Sequence, residues 1–162
     1  MTKKIQVFDR RDFLKKSGLG ALGLSLAPSL LALAKENGRL RTAHIGLGSM
    51  GMADLDAIAS HELVDVVALC DVDSKALDGA KALHPNAKTY ADYREMLKDM
   101  KNEIDAVIVS TPDHTHAPAS IMAMKMNKPV YCQKPLTHHV SEARKMNKLA
   151  AKKKLVTQMG IQ

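Results

Sequence analysis

The sequence predicts an α/β protein built on a doubly wound parallel sheet of six strands, and three observations carry that prediction. From Arg39 onward, short segments rich in β-branched residues alternate with helical segments of roughly ten to fifteen residues. A glycine-rich turn, Gly46 to Gly51, separates the first strand from the first helix. The length, 162 residues with 46% apolar and 25% charged content, leaves room for one ordinary soluble domain plus a tail. Strands and helices alternating in this way are βαβ units, which assemble as parallel sheets.

Taken in order, LRTAHI is the first strand, followed by the glycine turn and the helix MADLDAIAS. VDVVALC leads into DSKALDGAKAL, and a short AKTY leads into ADYREMLKDM. IDAVIVS is the fourth strand; a polar stretch, STPDHTH, precedes the helix APASIMAMKM. PVYC, the helix VSEARKMNKLAAKKK and a last strand LVTQM complete the set, expected in the order 3-2-1-4-5-6. Ligands bind such sheets outside the carboxyl ends of the strands, so the residues just after each strand are the candidates for function.

Charge argues against one class of partner. The net charge is +7, but six basic and two acidic residues precede Lys35, and the remaining 18 basic and 15 acidic residues leave +3. That residue of charge is spread along amphipathic helices, and two Phe with three Tyr provide no platform for stacking bases, so no nucleic-acid partner is expected.

After the first strand, Gly46 makes the tight turn, Gly48 lets the backbone approach a pyrophosphate, and Gly51 allows close helix packing, with Ser49 and Met50 in the turn between them, just ahead of the helix. Unpaired N–H groups and a positive dipole end there suit phosphates. Asp71 ends the second strand twenty residues beyond Gly51, where a carboxylate accepts the ribose hydroxyls of NAD and repels the 2′-phosphate of NADP. NAD is therefore favoured over NADP. Asp71 also stands where a helix N-cap could be, although Asp73 or Ser74 can fill that place.

After the fourth strand, Ser110, Thr111, Pro112 and His116 are expected to line the nicotinamide side of the crevice. Asp113, His114 and His116 have the chemistry of metal ligands, but residues this close on one loop do not close a site without others elsewhere, and His138 and His139 do not supply them. No metal is expected. After the fifth strand come Gln133, a further cofactor-side candidate, and Lys134, whose ammonium at the crevice mouth could lie beside the nicotinamide or hydrogen-bond a substrate hydroxyl.

Residues 1–34 read as a removable signal: a basic region, a short apolar stretch interrupted by Pro28, and the small-x-small ending Ala32-Leu33-Ala34. Arg10, Arg11, Phe13, Leu14 and Lys15 make it resemble a twin-arginine (Tat) signal, with Asp9 in place of the usual hydroxyl residue. The Tat translocase is thus the expected export partner and the periplasm the expected destination, with the general secretory route as the alternative. Residues 35–162 form the expected mature domain.

The order GLGSMG, LCDVD, ADYREML, VSTPDHTHA and YCQKPLT followed by SEAR resembles the N-terminal half of the Gfo/Idh/MocA family of NAD(P)-dependent oxidoreductases, over essentially all of residues 39–160. The resemblance implies a Rossmann-type NAD-binding domain followed by an α/β domain with the substrate face. It implies that Lys134 and Pro135 belong to a Glu-Lys-Pro signature whose lysine contacts cofactor and substrate, with Gln133 standing where the glutamate is expected. It implies a sugar or sugar derivative as substrate, with Lys134 as the catalytic residue, or, as in relatives resembling NAD-dependent glycosidases, glycoside cleavage through transient oxidation; a non-catalytic nucleotide-binding module is the third reading. Tat export moves folded proteins, so a chain can carry both an export signal and a cofactor acquired beforehand. Gly160-Ile161-Gln162 falls about where the family enters its second domain, so the chain reads as a cofactor-binding fragment, inactive alone, with any homo-oligomer forming through that second domain. Cys70 and Cys132 end strands three spacings, roughly 14 Å, apart, whereas a disulfide needs Cα atoms within about 7 Å. Two free thiols are expected.

Overall fold

The structure, a computed structural model, describes residues 38–161, and the signal expected over residues 1–34 lies outside the described residues. Six strands form one sheet: β1 (Leu40–Ile45), β2 (Val64–Cys70), β3 (Lys88–Tyr90), β4 (Ala106–Val109), β5 (Val130–Cys132) and β6 (Thr157–Met159). Every pairing is parallel, in the order β3-β2-β1-β4-β5-β6, the order expected from the sequence. Five helices connect them: α1 (Ser49–Ala59), α2 (Ser74–Leu83), α3 (Tyr93–Asp99), α4 (Asp113–Lys125) and α5 (Val140–Lys153).

The sheet is covered on both faces, which is why β4 is apolar and buried at all of its positions, without polar alternation. On one face α1 and α2 bring Leu55 and Ala80 against Leu69 and Leu47. On the other, α3, α4 and α5 contribute Met96, Leu97, Met124 and Met146 to the larger core. Met96, Met100, Met124 and Met146 lie in that core, with Met122 and Met126 packed against it, so flexible thioethers fill much of this face. At the amino edge of the sheet, Arg41 grips Asp105 in a two-pronged contact, Nε to Oδ2 at 2.9 Å and Nη2 to Oδ1 at 2.8 Å. Burial pushes the Asp105 carboxyl up, but the Arg41 hydrogen bonds outweigh it and hold it below its ordinary value. His44, in the middle of β1, is buried, and among the described residues its ring meets one hydrogen-bond partner, Thr42 Oγ1, 3.1 Å from Nε2. Burial first, then the charge of His84, pushes its pKa down to about 3.

Two helices begin earlier than the sequence pattern suggests. α1 takes in Ser49 to Gly51, and α4 takes in Asp113 to His116, a stretch expected to be loop. Its only buried member is a histidine, so no apolar stripe marks it as helical. The order in which strands are added reverses between β1 and β4: α1 leaves toward one face and α4 toward the other. The crevice at this switch point is where doubly wound sheets hold their ligands.

Candidate functional site

The floor of the crevice is the turn after β1. Gly46 has φ +89°, a conformation that side chains disfavour, and a Cβ there would lie 2.6 Å from the Ser110 carbonyl carbon and oxygen. A Cβ on Gly51 would collide with the Gly46 carbonyl, so this glycine lets α1 seat against the turn. Gly48 faces open space, with nothing within 4 Å of where a Cβ would stand, so the protein's own packing does not demand a glycine there. Gly48 is also the N-cap of α1, and no side chain caps the helix. The first intrahelical bond runs from Met52 N–H to Gly48 O, at 2.8 Å, leaving the N–H groups of Ser49, Met50 and Gly51 without an acceptor in the helix. An uncapped helix start at the carboxyl edge of a parallel sheet is a cradle for a phosphate.

Asp71 stands at the tip of β2, beside this turn. Its Oδ2 accepts the Leu47 N–H at 2.6 Å and its Oδ1 accepts the Asp73 N–H at 2.9 Å, so the carboxylate is aimed by backbone and tied to the glycine turn. Asp73 caps α2, accepting the Lys75 N–H at 2.9 Å, which frees Asp71 from that task. A carboxylate offers about four acceptor positions, and two remain open. Val72 follows, 90% exposed, an apolar surface beside the acid.

The other side of the crevice is built by the loops after β4 and β5. Ser110 Oγ donates to Asp54 Oδ2 at 2.5 Å, and Gln133 Nε2 donates to Asp54 Oδ1 at 3.1 Å. Gln133 Oε1 accepts the Lys134 N–H at 2.9 Å. A glutamate at 133 would set carboxylate against carboxylate here, whereas the amide supplies the donor that Asp54 requires. Lys134 is exposed, and among the described residues its ammonium has no ion-pair partner. Pro112 is exposed as the N-cap of α4. Thr111 is half-buried, with its hydroxyl unpartnered among the described residues. His116 is placed differently from the expectation that it lines the crevice. It is 1% exposed, and its Nε2 and Nδ1 lie 2.6 Å and 2.7 Å from the carbonyl oxygens of Thr111 and Pro135. It straps the two loops together from behind.

Asp54 and Val72 are the members that sequence reasoning missed. For Asp54 a signal was present: it lies three residues after Gly51 and one before buried Leu55, on the helix face that a sheet-packed Gly51 defines. For Val72 there was none, since a valine after a strand reads as more strand.

A side-chain-free Gly48, an uncapped helix start and a backbone-aimed carboxylate at the ends of β1 and β2 fit a dinucleotide, and on this fold they define a dinucleotide-binding domain. The chain belongs to the Gfo/Idh/MocA oxidoreductase family, NAD-binding Rossmann fold, which matches residues 40–161. A glycosyl hydrolase family 109 protein of Stenotrophomonas maltophilia is 37% identical over 134 residues, 76% of this chain and 29% of that protein. One from Solibacter usitatus is 32% identical, over 82% of this chain and 34% of its own. Among solved structures, myo-inositol 2-dehydrogenase from Lactobacillus plantarum superposes with a TM-score of 0.69 at 33% identity, over 75% of this chain and 36% of its own. GenD2 from gentamicin A biosynthesis, in complex with NAD, gives a TM-score of 0.69 at 25% identity, over 75% and 34%. The chain spans about a third of the length of these relatives.

Proposed function

We propose that this chain is the NAD-binding part of an exported oxidoreductase that moves hydride between NAD and a carbinol carbon of a sugar or sugar derivative. The observation that carries the reading is the coupling of the uncapped α1 start to Asp71 through the 2.6 Å bond from Leu47. In this arrangement the N–H groups of Ser49, Met50 and Gly51 hold the pyrophosphate, with Gly48 giving it room. Asp71 accepts from the adenosine ribose and its charge excludes the 2′-phosphate of NADP. Val72 covers the adenine. NAD, when bound, supplies the hydride acceptor. Ser110, Thr111 and Pro112 face the nicotinamide from β4, and Lys134 hydrogen-bonds the substrate hydroxyl and holds it in place. Gln133 and His116 act on the cofactor through the loops they fix. We assign residues 1–34 to a Tat signal and residues 35–162 to the exported domain, on the strength of Arg10, Arg11, Phe13, Leu14 and Lys15. Replacing both arginines with lysine traps the precursor in the cytoplasm if this holds; normal delivery would point to the general secretory route.

The relatives named glycosyl hydrolase family 109 favour a second reading, glycoside cleavage by transient oxidation at the same site. One assay separates the readings. Protein from its own source is given free sugars and aryl glycosides, with NADH and released aglycone both followed. Net NADH formation supports the oxidoreductase, and aglycone release without net NADH supports the hydrolase. Neither, in a protein that binds NAD, leaves a binding module.

A further inference from the structure

Beneath the crevice lies a buried carboxylate without a cation. Asp54, in the second turn of α1, is 6% exposed, and among the described residues no Lys, Arg or His side chain pairs with it. Its two oxygens accept from Ser110 Oγ and Gln133 Nε2 alone, and Gln133 passes the constraint on to the Lys134 backbone. Both donors come from the loops that end β4 and β5, on the opposite side of the switch point from Asp71. A dinucleotide with its adenosine ribose on Asp71 therefore has its nicotinamide on the Asp54 side. Tying two loops together does not call for a charge, since a neutral acceptor would serve, and a buried charge is expensive when no cation offsets it. Its field is felt locally: burial first, then the Asp54 charge, pushes the Tyr131 hydroxyl on β5 up. The nicotinamide ring is cationic in NAD+ and neutral in NADH, and a fixed negative charge in a poorly screened position distinguishes the two.

Resting on the NAD reading above, we propose that Asp54 sets the redox preference of the bound cofactor, its buried carboxylate favouring NAD+ over NADH. Ser110 and Gln133 hold the carboxylate in place, and it acts through its charge, without touching the cofactor.

The test is calorimetric titration of the full chain with NAD+, NADH and ADP-ribose. Pyrophosphate and adenosine are common to all three, so the ratio of NAD+ to NADH affinity isolates the nicotinamide. Asp54→Asn should lower that ratio by about fivefold or more, with ADP-ribose affinity held within about twofold of wild type. Asp54→Asn combined with Gln133→Glu returns one negative charge to the same pair of side chains and should recover the ratio. Gln133→Lys keeps Asp54 but pairs it with a cation, and should lower the ratio as Asp54→Asn does; it carries the test if Asp54→Asn does not fold. An unmoved ratio in a folded variant, or no recovery in the double variant, overturns the proposal while leaving the cofactor reading intact. Wild-type protein that binds none of the three ligands removes the cofactor reading and this proposal with it.

Discussion

At the β2 end of the crevice, the site is made from short-range chain: six residues of glycine turn and one aspartate, joined by the bond from Leu47 to Asp71. At the β4 and β5 end it is made from side chains 56 and 79 positions apart, Ser110 and Gln133 converging on Asp54. The first end owes its shape to backbone that glycine spacing dictates, so its side chains are few and Asp71 is held by backbone N–H groups. The second end owes its shape to one buried carboxylate, so most of its polar atoms face each other. Damage at the first should therefore show as lost folding or lost nucleotide, and damage at the second as a shifted preference in a protein that still binds.

The largest effects are expected where the turn has no spare room. Gly46→Val places a branched side chain at φ +89° against the Ser110 backbone, and Gly51→Leu drives into the Gly46 carbonyl. Each should cost about 3 kcal/mol or more in thermal unfolding. Gly48→Ala, by contrast, meets nothing in the protein. It should melt with wild type and lose NAD affinity by about tenfold, and an unchanged affinity would remove Gly48 from the phosphate cradle.

Next is a pH effect common to both ends, because His44 lies in β1 beneath them. The folded pKa is about 3, while the unfolded chain titrates near ~6.5. Between these values the unfolded state binds a proton that the folded state refuses. Stability from this source is whole above pH ~6.5 and falls by about 1.4 kcal/mol per unit as the pH drops toward 3. Denaturant unfolding of wild type and His44→Leu across that range should show a steeper slope in wild type, the difference being the His44 contribution. Asp105 adds a smaller loss of the same sign in acid, since its carboxyl is held low and must be protonated there.

Asp71→Ala is expected to weaken NAD by about tenfold while leaving NADP less affected, closing the gap between them. Calorimetry that finds the gap intact would reassign Asp71 to holding Leu47 alone.

The smallest effect reports on the two ends separately. Cys70 ends β2 and Cys132 ends β5, and both are free and buried. Burial first, then the charges of Asp71 and Asp92, pushes the Cys70 thiol up to about 12, and burial pushes Cys132 up to about 11. Native protein at neutral pH should resist alkylation at both, and unfolding without a reductant should release both. Ser110→Ala should speed labelling of Cys132 and leave Cys70 as it was. Equal acceleration would mean that the two ends loosen as one body.

What could be read from the sequence divides along the same line. The six strands, their order, the glycine turn and Asp71 are visible because each is written in adjacent residues: β-branched runs, glycine spacing, an acid at a strand end. Asp54 had only a spacing signal, because MADLDAIAS offers two aspartates, and the fold alone brings Ser110 and Gln133 to the one that turns inward while Asp56 stays exposed. His116 was read as a crevice residue for the opposite reason. A histidine beside Asp113 and His114 has the chemistry of a site, and only the third dimension brings the Pro135 carbonyl to its second nitrogen.

The direction in which the cofactor lies decides the role of every residue assigned above, and a crystal structure of the NAD complex measures it directly. The pyrophosphate should lie on the N–H groups of Ser49 to Gly51, the adenosine ribose on Asp71, and the nicotinamide between the loops carrying Ser110 and Lys134. A dinucleotide lying in the reverse direction, with its nicotinamide beside Asp71, or one bound away from the β1–β4 switch point, would contradict these roles.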